Sequence, residues 1–252
     1  MRNVRYTHLP QTDSTNRYSK EQALSDANEL WVVSTDFQTA GRGQGSNTWE
    51  SEAGKNLMFS VKFHPRRIPA AQQYLLLQLA AVALCEELTA LIGDGVTIKW
   101  PNDIYVGERK ISGTLSECTL SGTHIDTCIL GIGININQQV FTSNAPNPVS
   151  LYQLTGTEHH RETLLKQVVS RIAWWIDKAE EGHFSLIHTR YMQLLYRRTG
   201  IHPYRDANGM FKATIQGITP YGHLLLRKEN GEVSEYAFKE VQFVLLRKQK
   251  DI

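Results

Sequence analysis

The sequence predicts an α+β protein: a larger part of mixed strands and helices, then a small all-strand barrel. Two observations carry this. Up to about residue 197, short apolar runs bounded by Gly, Pro and Asn are interspersed with long helical segments. After Gly200 the texture changes to about 50 residues of short strands, with Gly209, Gly222 and Asn230-Gly231 at the turns. The boundary is placed so that residues 1–198 form one domain and 199–252 the other.

In chain order, residues 14–27 open with Ser-Thr-Asn, good helix-capping chemistry, and continue as a short amphipathic helix. Residues 31–36 have the β-branched content of a strand, and 41–47 are a glycine-rich polar loop. Residues 56–63 alternate, setting Leu57, Phe59, Val61 and Phe63 on one face of a strand. The clearest helix spans 69–91, opened by Pro69 and closed by Gly93. Residues 96–100 form a strand that Pro101 ends; 103–106 and 110–118 are two strands around Gly107-Glu108. Residues 125–136 form a long strand containing Gly131 and Gly133, which mark close approach of a ligand or another backbone. Residues 137–150 are a loop; 161–181 and 184–197 are helices. The last strands are 211–218, 224–227, 233–238 and 241–246.

Composition excludes several classes. The 252 residues are 41% hydrophobic and 21% charged, which rules out disordered and fibrous proteins. A net charge of +2 is too balanced for a nucleic-acid coat or a polybasic membrane protein. Cys85, Cys118 and Cys128 form no CxxC pair and read as reduced core residues of a cytosolic protein. The start lacks an apolar signal core, and the longest apolar stretch, 74–85, is interrupted by Gln78 and falls short of the ~20 residues of a membrane span. A cytoplasmic protein is expected.

Four segments carry chemistry. In residues 41–47 three glycines let backbone N–H groups converge on an anion, and Arg42 adds a forked donor; an ordinary exposed turn explains the same residues. The segment closes with no Gly-Lys-Ser/Thr, and Ser46 stands where a dinucleotide fingerprint needs glycine. Lys99-Trp100-Pro101-Asn102-Asp103 ends a strand and exposes an amide and a carboxylate, suited to a nucleotide or hydrated Mg²⁺, or simply to a turn. Lys110, three residues before Gly113, offers a point charge beside a close backbone approach, or is a solvated strand-end lysine. Asn135 ends the strand through Gly131 and Gly133, placed for a ribose or phosphate oxygen or for starting the loop. Ser14-Thr15-Asn16 is explained by capping alone; His159-His160 reads as surface, and at least one of Trp174-Trp175 as core.

Taken together, Asp13-Ser14-Thr15-Asn16, residues 38–43 (Gln-Thr-Ala-Gly-Arg-Gly), Trp49, residues 99–103, Lys110 to Gly113, and Gly131 to Asn135 resemble the biotin protein ligase family in order and spacing. The resemblance runs from about residue 5 to about 245. It implies a catalytic domain like that of class II aminoacyl-tRNA synthetases, a mixed sheet flanked by helices, followed by an SH3-like barrel. It also implies a two-step reaction: biotin and Mg-ATP give biotinyl-5′-AMP, and a lysine of a biotin carboxyl carrier domain then displaces AMP. Ser14, Thr15, Asn16 and Gln38 would hold the ureido head, and Gly41, Arg42, Gly43 and Gln44 would close over biotin and its adenylate. Trp49 would pack on the adenine, Asn102 and Asp103 would serve the nucleotide, and Asp103 the Mg²⁺. Lys110 would touch carboxylate and α-phosphate, Gly113 would admit the backbone, and Asn135 would face the nucleotide. Lys110 and Arg42 are the expected catalytic cations.

The physical logic is coherent. A carboxylate attacking a phosphate meets like charge, which converging cations remove. The mixed anhydride needs water excluded, which gives a closing loop its purpose. The chain departs from many relatives after Gly-Arg-Gly, where Gln44 and Gly45 stand in place of further cations, leaving Arg42 as the loop's one charge. Thirteen residues precede Ser14, too few for a DNA-binding helix-turn-helix domain, so a ligase without repressor function is expected. Partners are then a carboxyl carrier domain, with no nucleic acid and no membrane, in a monomer or weak homodimer. The rivals are a lipoate–protein ligase, a non-catalytic binding module on the same scaffold, and a nucleic-acid binder.

Overall fold

The computed structural model describes residues 2–45, 47–142 and 147–245; Ser46, part of the 137–150 loop and the end of the expected 241–246 strand lie outside them. The first sheet contains β1 (Asn3–Thr12), β2 (Glu29–Gln38), β3 (Leu57–Phe63), β4 (Val96–Lys99), β5 (Asp103–Val106), β6 (Arg109–Ser121) and β7 (His124–Ile134). Its order is β1-β2-β3-β7-β6-β5-β4, with β1 and β2 parallel and every other neighbouring pair antiparallel, so the sheet is mixed.

Strand β3 explains how the sheet organises the molecule. Leu57, Phe59, Val61 and Phe63 join the main apolar cluster, as the alternation predicts. The other face is buried too, because a short helix, α1 (Thr15–Lys20), covers it. There Ser60 Oγ lies 2.7 Å from Thr15 Oγ1 and 2.5 Å from Asn16 Oδ1, and Lys62 Nζ donates to the carbonyls of Ser19 and Gln22. The main cluster includes α2 (Tyr74–Ile92), α4 (Arg161–Glu180) and α5 (Phe184–Gln193).

Helix α2, with the 3₁₀ turn Ala70–Gln72 before it, departs from expectation. Over Ala70–Ile92 it is long and apolar enough to cross a membrane by length and composition, correcting the reading that no stretch reaches that length. Its apolarity is that of a central core helix, since Leu76, Leu79, Ala80, Ala83 and Leu84 are wholly buried against the sheet and the other helices.

Further departures have local causes. Strand β1 was not anticipated: its sequence, NVRYTHLPQT, is polar and holds Pro10, which an edge strand tolerates. Helix α1 ends at Lys20 rather than 27, and Glu29 instead accepts from Ser25 N at 2.7 Å. Helix α5 ends at Gln193 rather than 197, because Ile98 N donates to Leu194 O and Tyr196 N to Ile98 O, pairing that segment with β4. A one-turn helix, α3 (Leu151–Thr155), starts on a Ser150–Gln153 capping box. Cys85 and Cys128 are core residues, but Cys118 is only half-buried, directly opposite Cys128.

The second sheet is antiparallel, in the order β11 (Val233–Tyr236), β10 (Leu224–Lys228), β9 (Gly209–Ile218), β8 (His202–Asp206) and β12 (Gln242–Phe243). It is fastened to the first part by Trp100 Nε1, which donates to Gly222 O at 2.9 Å, and by Arg197, which donates to Pro203 O and Val244 O. The apolar cluster runs continuously into it through Tyr204, Leu224 and Leu226.

Candidate active site

The glycines of β6 and β7 open the pocket. Gly131 lies directly beneath the Asn16 side chain, where a Cβ would collide with the amide, and a Cβ on Gly133 would enter the Trp49 ring. The close approach expected of these glycines is therefore to side chains. Helix α1, the loop from Gly41 to Trp49, and the turn after β4 are set around the resulting hollow of about 150 Å³.

Ser14, Thr15, Asn16 and Gln38 form one wall. Ser14 occupies the N-cap of α1, yet its hydroxyl makes no cap bond. Gln38 Oε1 does that work instead, accepting from Thr15 N at 2.9 Å and lying 3.2 Å from Thr15 Oγ1. Capping therefore does not account for Ser14.

The loop is a tight hairpin, bridged at Arg42 and Thr48, with Gly43 N donating to Asn47 O at 2.7 Å and Trp49 N to Gly41 O at 3.1 Å. Arg42, Gly43 and Gln44 line the hollow, whereas Gly41 sits behind it against Gln38 and Trp49. Arg42 Nη2 lies 3.4 Å from both oxygens of Glu117.

Glu117 is a participant that sequence reasoning missed. It accepts from Asn16 Nδ2 at 2.7 Å and from Lys20 Nζ at 2.6 Å. Burial pushes its carboxyl up, but the bonds from Lys20 and Asn16 and the charges of Lys20 and Arg42 outweigh this and hold it below the usual range. Its signal in the sequence was faint, a lone acid on a strand.

The opposite wall is built on the β5–β6 hairpin. Lys110 Nζ pairs with Asp103 Oδ1 at 2.6 Å and stands 5.7 Å from the Trp49 ring centroid. Gly113 faces both: a Cβ there would lie 3.2 Å from each of those atoms. The Asn102 amide donates to Thr114 O, fixing the turn onto β6. Beneath the turn, Tyr191 OH donates to Pro101 O at 2.8 Å and lies 3.0 Å from Tyr74 OH. Lys99 also lines the hollow, its ammonium 5.1 Å from the Tyr105 ring and 5.3 Å from that of Phe243; burial lowers its pKa, and Asp103 opposes this.

Two expected site residues do not line the hollow: Gly41, which sits behind it, and Asn135. Asn135 is buried away from the hollow, its Nδ2 donating to Val149 O at 3.1 Å, so it anchors the segment after β7. Among the described residues, three polar side-chain atoms on the walls are buried without a hydrogen-bond partner: Gln44 Oε1, Trp49 Nε1 and Thr114 Oγ1. No group of three or more His, Cys, Asp or Glu suited to a metal occurs among the described residues.

The mixed sheet thus carries a polar hollow with a cation on each side, Arg42 and Lys110, each facing a carboxylate. The model of the biotin/lipoate A/B protein ligase family matches residues 8–135. The bifunctional ligase/repressor BirA of Bacillus spizizenii is 32% identical over 228 residues, covering 86% of this chain and 68% of that protein. The biotin–[acetyl-CoA-carboxylase] ligase of Paracoccus denitrificans is 29% identical over 238 residues, covering 88% and 94%. The Aquifex aeolicus biotin protein ligase in complex with biotin and ATP superposes with a TM-score of 0.78 at 27% identity, covering 95% of this chain and 99% of that one. The chain belongs to the biotin/lipoate A/B protein ligase family.

Proposed function

We propose that this protein is an ATP-dependent ligase that activates biotin as biotinyl-5′-AMP and transfers it to a lysine of a biotin carboxyl carrier domain. A biotin carboxylate oxygen attacks the α-phosphorus of ATP as the bond to pyrophosphate breaks. The acceptor lysine's amine then attacks the activated carbonyl, AMP leaves, and the amine loses a proton. The observation that carries this reading is the set of unpartnered polar atoms on the walls, Trp49 Nε1, Thr114 Oγ1 and Gln44 Oε1, flanked by Arg42 and Lys110. A buried unmade hydrogen bond costs about 1–3 kcal/mol, and a ligand with polar groups removes that cost.

The roles follow the walls. Ser14, Thr15, Asn16 and Gln38 take the ureido head, Trp49 packs on adenine, and Lys110 bridges carboxylate and α-phosphate. A hollow of 150 Å³ falls below the ~300–1,000 Å³ usual for ligand sites, so the Arg42 loop moves outward to admit two substrates and back to exclude water. Asp103 is a single carboxylate, which suits a Mg²⁺ ion held mainly by ATP phosphates, with Asn102 beside it. The magnesium would supply charge neutralisation on those phosphates. We read residues 1–198 as a class II synthetase-like catalytic domain and 199–252 as an SH3-like barrel, in a cytoplasmic monomer or weak homodimer.

Biotin-dependent exchange of pyrophosphate into ATP tests the reading. Exchange with biotin and Mg²⁺ is expected; none with biotin, or equal exchange with lipoate, overturns it.

A further inference from the structure

We infer that Ser60, wholly buried on β3, makes the wall of Ser14, Thr15, Asn16 and Gln38 accept hydrogen bonds from its ligand, so that the wall selects a ring bearing N–H donors, as in a cyclic urea. The inference rests on the biotin reading and adds to it a positioning residue that does not itself line the hollow. Ser60 lies opposite Gly131 in the β3–β7 register, and the Cβ missing at Gly131 admits the Asn16 amide between α1 and the sheet. Strand and helix thus meet through one hydroxyl, which reaches both Thr15 and Asn16.

The supply of protons decides the polarity. Three oxygen–oxygen contacts run through the wall: Ser60 Oγ to Asn16 Oδ1 at 2.5 Å, Ser60 Oγ to Thr15 Oγ1 at 2.7 Å, and Thr15 Oγ1 to Gln38 Oε1 at 3.2 Å. The two hydroxyls bring one proton each. Both protons are therefore spent inside the wall, and the longest contact best tolerates going without. Asn16 cannot relieve the shortage by turning its amide over. Its Nδ2 donates at 2.7 Å to the carboxylate of Glu117, which only accepts, so Oδ1 stays toward Ser60. Gln38 Oε1 already takes the Thr15 N–H at 2.9 Å. Thr15 and Gln38 line the hollow, and these two oxygens offer a ligand lone pairs with no proton to give. A urea N–H matches them. A dithiolane leaves them unmatched, and a ring oxygen in place of N–H is opposed by them.

Direct titration with biotin and its two cyclic-carbamate analogues, each carrying oxygen in place of one ring N–H, tests the inference. Wild type should bind the weaker carbamate roughly 5–150-fold less tightly than biotin, the effect of a buried bond left unmade. Ser60→Ala releases the Thr15 proton from the sheet, and this proton can then turn to the ring oxygen. The gap between biotin and that carbamate should narrow by about 2–10-fold, the range of one ordinary hydrogen bond. A loss of packing alone weakens both ligands by the same factor and leaves the gap as it was. Ser60→Thr keeps a hydroxyl and should keep the wild-type gap. An unchanged gap in Ser60→Ala overturns the inference alone, as does a gap that narrows equally in Ser60→Thr. A wild-type protein that binds no biotin overturns the biotin reading with it.

Discussion

Asp103 and Lys110 meet in a 2.6 Å ion pair across the β5–β6 hairpin, although the strand register sets Asp103 opposite Gly113 and Lys110 opposite Tyr105. The missing Cβ of Gly113 gives the two side chains their meeting place, and a shift in register between Ile104 and Tyr105 brings Lys110 toward Asp103. The pair holds the lysine's charge ready without burying it alone. On the proposed adenylation, arriving nucleotide would offer the ammonium a stronger anion, and the carboxylate would become free for a cation that travels with ATP.

Lys110→Ala should therefore lower the rate of adenylation more than it weakens ATP binding. Losing one charged hydrogen bond costs about 1.5–3 kcal/mol, or roughly 10–150-fold in rate. A contribution concentrated in the transition state raises this to about 10²–10³-fold. Single-turnover formation of biotinyl-adenylate measures it, and a wild-type rate would return Lys110 to the role of a strand-end lysine.

Gly133→Ala should displace Trp49. The added methyl enters the indole ring, and the opposing backbone is a central strand that cannot give way. Overpacking of this kind costs about 1–3 kcal/mol. Thermal unfolding should show a lower Tm, and tryptophan emission should shift as Trp49 moves. A variant with unaltered emission and stability would mean that the ring has free space.

Much of the candidate site was legible because its residues are clustered locally in sequence. The loop around Arg42, the turn at Asn102-Asp103 and the Lys110–Gly113 strand each announce themselves by glycine, proline and charge at close spacing, and the fold brings these segments to one hollow. What was not legible depends on distance. Glu117, a lone acid on a strand, gains its role only when α1 and the loop deliver Asn16, Lys20 and Arg42 to it. Tyr74 and Tyr191, 117 positions apart, meet under Pro101. Asn135 stands apart for the converse reason: its neighbours in sequence suggested a ligand, but its amide is bonded to a carbonyl from residue 149. The polar edge strand β1 was invisible for want of apolar alternation.

Glu117 should make stability depend on acid. Its folded pKa is depressed below the ordinary 4.5, so its contribution is present in full above about pH 4.5 and is lost as pH falls through the folded value. Wild type should exceed Glu117→Gln in Tm at pH 7, and the two curves should converge as the pH is lowered toward 3. A difference that stays constant across this range would mean that the carboxylate's charge is not what Asn16, Lys20 and Arg42 recognise.

Arg42 should govern how long the intermediate stays. Its contact with Glu117 is long, 3.4 Å to each oxygen, and its side chain is 44% exposed. A pair of this kind contributes only about 0–1 kcal/mol, so the guanidinium can leave Glu117 for the adenylate at little cost. Once closed, its bond to a phosphate or carboxylate oxygen contributes about 1.5–3 kcal/mol. Arg42→Ala should then speed release of biotinyl-adenylate by roughly 10–150-fold, because differences of this kind fall mostly on dissociation rates. The wall of Ser14, Thr15, Asn16 and Gln38, proposed to take the ureido head, is built on the start of α1 and the end of β2, so affinity for free biotin should change far less. Trp49 ends the same hairpin, and its emission should change on adding biotin, more with the adenylate, and not at all in Trp49→Phe. A chase experiment reads both effects in one protein. If the intermediate left Arg42→Ala at the wild-type rate, the loop would be a surface turn with a bystander arginine.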